Sequence, residues 1–524
     1  MGSLVAAIAI TAATVAFPSA AAAGGGTITR YDAHGTFLLN GVPIFPLVLS
    51  KGPPRNGTTL SGADALDEVI GTGINFLKVG PATTLWTNAD IDDANEWDRA
   101  AASRGAYTWV NLSTVSQATP GSSKDALLRQ VITTLKNDAS GAAGLGMWKG
   151  ADEPWWNGFT PASLRFAYCR GTSRGDPSWC SGEPSLDADH LWVTIEAPRG
   201  TAADLAPYTA VTDTHGVDQY PVTINNPTPD LHQVGVWTST MAAITPTDSV
   251  WTTLQVCSSG SVDGSGNFVL PSRRQERYMI YDAIINGARS LGFYGGNNPS
   301  CWNASASAHE WNWTFWDTVL KGLIQEINAH SPVAPALIAT ASNQVLPTSD
   351  ATTQAISRQG GAGTDFWVFA ARSGSGSQTV TVTGLPAIPL TGTVYAEGRT
   401  VTAANGSFTD TFDQWDAHVY HFAQSPTAVT VRSFSARRAS GGVVLRWRTG
   451  SEATLAGFDL YRGGVRLNRA LLPAAASGTA RGHAYVWLDR AGHLGSRYRL
   501  RVVSLSGRRA WSGSASAGVA GRRR

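Results

Sequence analysis

The sequence of 524 residues is poor in charge, in sulfur and in long apolar stretches. Charged residues make up 15% of it, against about 25% in ordinary domains, and with 43% hydrophobic residues this excludes disorder and coiled coil as the main state. Beyond residue 17 no run approaches the roughly 20 apolar residues of a membrane helix, so no transmembrane segment is expected in the mature protein. The four cysteines include no CxxC pair and the ten histidines are scattered, which argues against a zinc site. HExxH, Walker and Gly-x-Ser-x-Gly sequences are all missing, so the usual metalloprotease, P-loop and serine-elbow chemistries are excluded. No cofactor is expected. Lysine is absent from residues 426–524, where 18 arginines meet only Glu452, Asp459 and Asp489. That segment carries +15 and leaves −13 on residues 1–425, a basic tail on an acidic body.

What is present begins with an apolar run at residues 4–17, then Pro18-Ser19 and four alanines, the pattern of a cleavable leader over residues 1–23, although no Lys or Arg precedes it. The mature protein is therefore expected outside the cell or at its surface. An even number of cysteines suits that compartment. Pairing of Cys169 with Cys180 and of Cys257 with Cys301 is expected, the alternative being four buried thiols.

Between residues 40 and 330, eight short apolar runs (44–49, 74–79, 106–112, 145–150, 191–195, 216–220, 250–256 and 290–294) alternate with segments of helical spacing, the clearest at 90–104, 123–137, 273–286 and 313–328. Strand then helix, eight times, predicts an α/β chain with a (β/α)8 TIM barrel over residues 24–331. A doubly wound sheet is the runner-up, but Ser50-Lys51-Gly52-Pro53-Pro54 is not a phosphate-binding turn. Val/Thr alternation then predicts a β-sandwich over 332–424, and alternation of Arg with apolar residues a second all-β sandwich over 425–524, which resembles a fibronectin type III domain.

In such a barrel the chemistry sits at the carboxyl ends of the strands. The fourth run ends in Lys149-Gly150-Ala151-Asp152-Glu153-Pro154-Trp155-Trp156. A carboxyl group beside tryptophans and a second acid has its pKa raised, which suits Glu153 to donate a proton. The bland alternative makes Asp152 a helix cap and Glu153 a solvated loop acid. The tryptophans Trp86, Trp148, Trp155, Trp156, Trp302, Trp311 and Trp313 fall in or beside the expected mouth loops, where indole faces would pack on sugar rings.

These residues resemble the clan A glycoside hydrolases, whose fourth strand ends in Asn-Glu-Pro with Glu as acid/base; the resemblance covers about residues 35–424. It is carried also by Gly73-Ile74-Asn75-Phe76-Leu77-Lys78, by Gly216-Val217-Asp218-Gln219-Tyr220-Pro221 and by residues 287–294. It implies a glycosidase with Glu153 as general acid and carbohydrate as substrate. Three positions depart from it: Asp152 replaces Asn, Lys78 replaces Arg, and the seventh strand ends in Gln255 where a nucleophilic Glu belongs. The second carboxylate must then come from Asp218 or Glu196, with Asp218 favoured because Tyr220, two residues on, shares its face. Substrate contacts are expected from Asp152, Gln255, Tyr220, Lys78, Trp155, Trp156, Glu196 and Trp302, and without a nucleophile at Gln255 the expected outcome is inversion. The rival reading is a non-catalytic carbohydrate-binding or surface protein on a decayed barrel. The Arg-rich tail is expected to hold an anionic cell surface or polysaccharide, with no specific nucleic acid partner.

Overall fold

The computed structural model describes residues 26–138, 143–172, 174–223, 225–226, 229–245, 249–257, 269–360, 365–387, 389–423, 431–452, 455–477, 481–504 and 509–518. The leader and the Gln424–Thr427 linker lie outside these. Eight parallel strands close into a barrel: β1 (Leu47–Leu49), β2 (Phe76–Val79), β3 (Tyr107–Asn111), β4 (Leu145–Asp152), β5 (Leu191–Glu196), β6 (Thr214–Gln219), β7 (Val250–Gln255) and β8 (Ala288–Tyr294). Each coincides with one of the eight apolar runs. The strands are buried on both faces, as a sheet enclosed by helices requires, which is why they read as continuous apolar runs rather than as alternation.

The helices begin where the sequence supplies caps. Helix α1 (Asn88–Ala102) starts from a capping box in which the Thr87 hydroxyl accepts from the Asp90 backbone and the Asp90 carboxylate accepts from Thr87. Helix α2 (Ser123–Asn137) is capped by Ser122, and α3 (Arg273–Ile285) by a second box of Ser272 and Gln275. The helical segment predicted from residue 313 is present, but with a π-helical stretch at Trp316–Leu320. A three-stranded antiparallel sheet (Thr29–Tyr31, Phe37–Leu39, Val42–Ile44) closes the amino-terminal end of the barrel. Its Phe37 is buried against Phe76 and Trp251, so that end is plugged and only the carboxyl end can admit a ligand.

The barrel is followed by β-sandwich domains. The first sets a six-stranded antiparallel sheet against the pair Gln378–Thr383 and Ser407–Phe412. It shares a core with the barrel: Tyr278 meets Trp415 edge-on at 4.9 Å and Tyr281 lies 6.2 Å from Phe369, joining α3 to the sheet. Buried Arg358 adds hydrogen bonds from its guanidinium to the carbonyls of Ile284 and Leu337. In the second sandwich, a sheet of Val431–Ala439, Gly442–Thr449 and Ala484–Asp489 and a five-stranded sheet enclose Trp447, Phe458, Leu460 and Leu500. Along Arg497–Ser504 the arginines 497 and 499 face out while Tyr498 and Leu500 face in. All three acids of this unit are buried, Asp459 pairing with Arg466 and Arg501 and Asp489 with Arg462, so no carboxylate side chain is left on its described surface.

Candidate active site

Strand β4 departs from regular pairing at its end. Against β5, Lys149 aligns with Val193 but Asp152 with Ile195, so one extra residue is inserted around Gly150-Ala151. Residues three apart on a regular strand point to opposite faces; the bulge re-aims them, and the Lys149 ammonium reaches the Asp152 carboxylate. Gly150 is required there because a Cβ would collide with the Trp192 indole. The next residue, Glu153, is held in the left-handed region at φ 44°, unusual for a side chain of its size. Its N–H donates to the Ile195 carbonyl at 2.7 Å, which fixes the turn. Backbone strain of this kind persists where surrounding structure enforces it, often at functional sites.

Glu153 lines a cavity of about 420 Å³ at the carboxyl end of the barrel, together with Asp218 from β6. The two carboxyl groups lie close enough that the charge of Glu153 acts on Asp218, and like charges at short range resist ionising together. Burial raises the pKa of both, the charge of Asp152 adding for Glu153 and the partner's own charge for Asp218. Tyr220 donates from its hydroxyl to Asp218 Oδ2 at 3.0 Å and stacks on Tyr294 at 5.4 Å, so its orientation is fixed from β8. Asp152 is lowered from its ordinary value because the Lys149 and Lys78 ammoniums outweigh its desolvation.

Across the ring stand Lys78, Trp109 and Lys149 from β2, β3 and β4, with Ser50, Ile195, Thr253, Tyr294 and Asn298 completing the lining. Lys78 sits opposite Trp109 in the β2–β3 register, its amine 5.8 Å from the ring centroid, and the Lys149 amine is 6.0 Å from the same ring. Lys149, Trp109, Thr253, Tyr294 and Asn298 were not singled out by the sequence. Lys149 carried a signal, a lysine in a buried run three residues before Asp152.

Of the expected substrate contacts, Asp152, Tyr220 and Lys78 line the cavity and five do not, among them Trp155, whose partly buried indole packs against the helix-layer core and Gly200. The Gln255 amide accepts from the Val222 N–H and donates to the Val222 carbonyl, both at 2.8 Å, so it holds the loop after β6 rather than facing a ligand. Glu196 is fully buried; it accepts from the Trp155 N–H at 3.2 Å, which braces the loop that carries Glu153. Trp302 is tied to the Gly296 carbonyl, and Trp156, 57% exposed, lies under Arg199 outside the cavity. The expected mouth cluster of tryptophans is corrected more broadly. Trp86, Trp148, Trp311 and Trp313 are buried in the core, with Trp148 donating to Asp187 and Trp311 to the Lys51 carbonyl. Only Trp109 lines the cavity.

Both expected disulfides are formed, Cys169–Cys180 and Cys257–Cys301. The second ties the segments that follow β7 and β8, and the loop it restrains contributes Asn298 to the lining. Among the described residues no group of three His, Cys, Asp or Glu side chains is placed to hold a metal ion.

No family model matches the chain, and no curated protein matches it. Among solved structures it is similar to one described as a glycoside hydrolase, at 12% identity and a TM-score of 0.47, covering 77% of this chain and 97% of that one. It is also similar to an alpha-amylase from Geobacillus thermoleovorans complexed with acarbose (10% identity, TM-score 0.43, 73% and 97% covered). A third is a β-L-arabinopyranosidase from Geobacillus stearothermophilus in complex with arabinose (9% identity, TM-score 0.44, 73% and 97% covered). At these values the function has to be argued from the cavity itself.

Proposed function

We propose that this chain is a secreted glycoside hydrolase of poly- or oligosaccharides in which Glu153 and Asp218 are the reacting carboxyl groups. The observation that carries the reading is that both side chains line one cavity at the carboxyl end of the barrel, close enough for one carboxyl group to raise the pKa of the other. A binding protein gains nothing from two partly buried acids held near each other, and their repulsion costs stability; a hydrolase needs one acid and one carboxylate at the same bond. Asp218, raised to about 8, keeps a proton at neutral pH, which leaves Glu153 to carry the charge. Asp218 then protonates the leaving oxygen while Glu153 attacks the anomeric carbon, and in a second step water, deprotonated by Asp218, releases the sugar from Glu153, the reverse of the roles that strand position alone suggests.

The closeness of the carboxyl groups also bears on stereochemistry. Inverting pairs stand about 6.5–9.5 Å apart to admit a water, and retaining pairs about 5–5.5 Å. Groups near enough for one to raise the pKa of the other suit the shorter spacing, so the expected outcome is retention rather than the inversion that Gln255 suggested. Purified protein incubated with a panel of glycans should release reducing ends, and NMR should find the first-formed anomer retained. No product from any glycan would reject the hydrolase reading; an inverted anomer would reject the roles.

For the tail, we infer a fibronectin type III-like module that anchors the enzyme on an anionic cell surface or polysaccharide. Its support is the outward arginine rows over buried acids, with Arg499 stacked 3.8 Å from the centroid of the exposed Trp511 ring. Replacing Arg446, Arg448, Arg497 and Arg499 by Ser in the full chain should abolish salt-sensitive retention on an anionic matrix. Retention that survives, or that ignores salt, would reject the anchor. Secretion is supported by the two disulfides.

A further inference from the structure

The cavity's two sides differ in charge. In the closed ring β2 and β6 are four strands apart, so Lys78 faces Asp218 across the barrel. On the Lys78 side the adjacent strands β2, β3 and β4 present two ammonium groups flanking one indole. Lys149 is paired with Asp152. Lys78 has neither an ion-pair partner nor a hydrogen-bond acceptor among the described residues, although it lines the same cavity. A poorly solvated cation beside a like charge is unfavourable until an anion joins it, and such groups are ordinarily paired. Asp152 and Asp218 act on Lys78 only through space, without an ion pair or hydrogen bond, and do not offset its burial.

We infer that the Lys78–Trp109–Lys149 wall receives an anionic group of the substrate, the carboxylate of a uronic acid residue or a sulfate ester, so that the saccharide cleaved is an acidic one. The inference rests on the glycoside hydrolase reading for the word cleaved, but not for the word acidic. Lys78 can donate to that anion with Lys149 as a second positive charge beside it, and charge-assisted bonds of this kind are about twice as strong as neutral ones.

Occupation has a proton signature. Burial and the neighbouring Lys149 lower Lys78 to about 7, so an anion that restores the ammonium takes up a proton when it binds near pH 8. The test titrates the Glu153→Gln protein calorimetrically with glucuronate, galacturonate, galactose 6-sulfate, glucose and galactose, in buffers of different ionisation enthalpy. Acidic sugars are expected to bind at least about tenfold more tightly than neutral ones at pH 6, with proton uptake at pH 8. Lys78→Met should erase the preference; Lys78→Arg should keep it and abolish the uptake. Preference for uronates alone or for the sulfate alone identifies which anion the wall takes. Equal binding of acidic and neutral sugars, or a preference that persists in Lys78→Met, would overturn the inference. If acidic sugars bind but wild-type protein cleaves no glycoside, the subsite stands and the hydrolase reading falls.

Discussion

Glu153→Gln is expected to lower turnover by at least about a hundredfold on every glycoside and to abolish the first chemical step, whereas Asp218→Asn should spare that step when the leaving group needs no proton. The difference follows from the roles proposed for the two groups. A carboxylate that attacks the anomeric carbon is needed whatever departs, so an amide at 153 blocks both slow and activated substrates. A proton donor is needed for an alkoxide but not for a dinitrophenolate, which leaves unaided; Asp218→Asn should therefore release a burst of dinitrophenolate from dinitrophenyl glycosides and then turn over slowly, because the base that activates water for the second step is missing. The opposite pattern would make Glu153 the acid and Asp218 the nucleophile. Normal activity of both variants on all substrates would remove the carboxyl pair from the mechanism. Either variant should also raise the thermal midpoint near pH 8, because an amide relieves the repulsion between two neighbouring acids without leaving the site empty. A fall in both activity and stability would indicate damage to the fold instead.

The barrel was legible because its strands are short, apolar and evenly spaced, and because burial on both faces is a property of composition that a single sequence displays. Glu153 was legible for a related reason: a strand's end can be read from where its apolar run stops. Direction is harder. Trp148 sits five residues before Glu153, yet points into the helix layer toward Asp187, since alternation along β4 decides the face and proximity in sequence does not. Gln255 ends its strand as expected but its amide is satisfied by Val222, a partner 33 residues away that no local pattern announces. The pairing of Lys149 with Asp152 depends on a bulge, which a regular register of alternating faces hides. Contacts between strands, such as Lys78 against Trp109, require the register, and the register exists only once the barrel closes.

Stability should fall as the pH rises from 5 to 8, the reverse of what ionised, salt-bridged carboxylates produce. Asp98 and Glu196 are both raised to about 8, chiefly by burial, and for Glu196 also by the charges of Glu153 and Asp218. In the unfolded chain such groups titrate near 4, so between about 4 and 8 the native state binds more protons than the unfolded state. Unfolding free energy then decreases with pH, by up to about 1.4 kcal/mol per group for each pH unit, less where the site relaxes on ionising. Three groups act the other way over part of the range. His215, buried and lowered to about 3, and His421, lowered by burial, add stability with rising pH only up to about the unfolded value of 6.5, and Lys78 does so only above about 7. From about 6.5 to 7 the acids are unopposed by any of the three. Urea unfolding should accordingly give a higher midpoint at pH 5 than at pH 8, and Asp98→Asn together with Glu196→Gln should flatten the profile. The Thr108 hydroxyl can still donate to the amide carbonyl introduced at position 98, and the Trp155 N–H to the one introduced at position 196. The substitutions therefore remove the titration while keeping the bonds that hold the barrel wall and the Glu153 loop. A midpoint that climbs steadily from pH 5 to 8 would mean that these acids are ionised in the native protein, and that the low-dielectric setting argued for the carboxyl pair does not extend to the strands beside it.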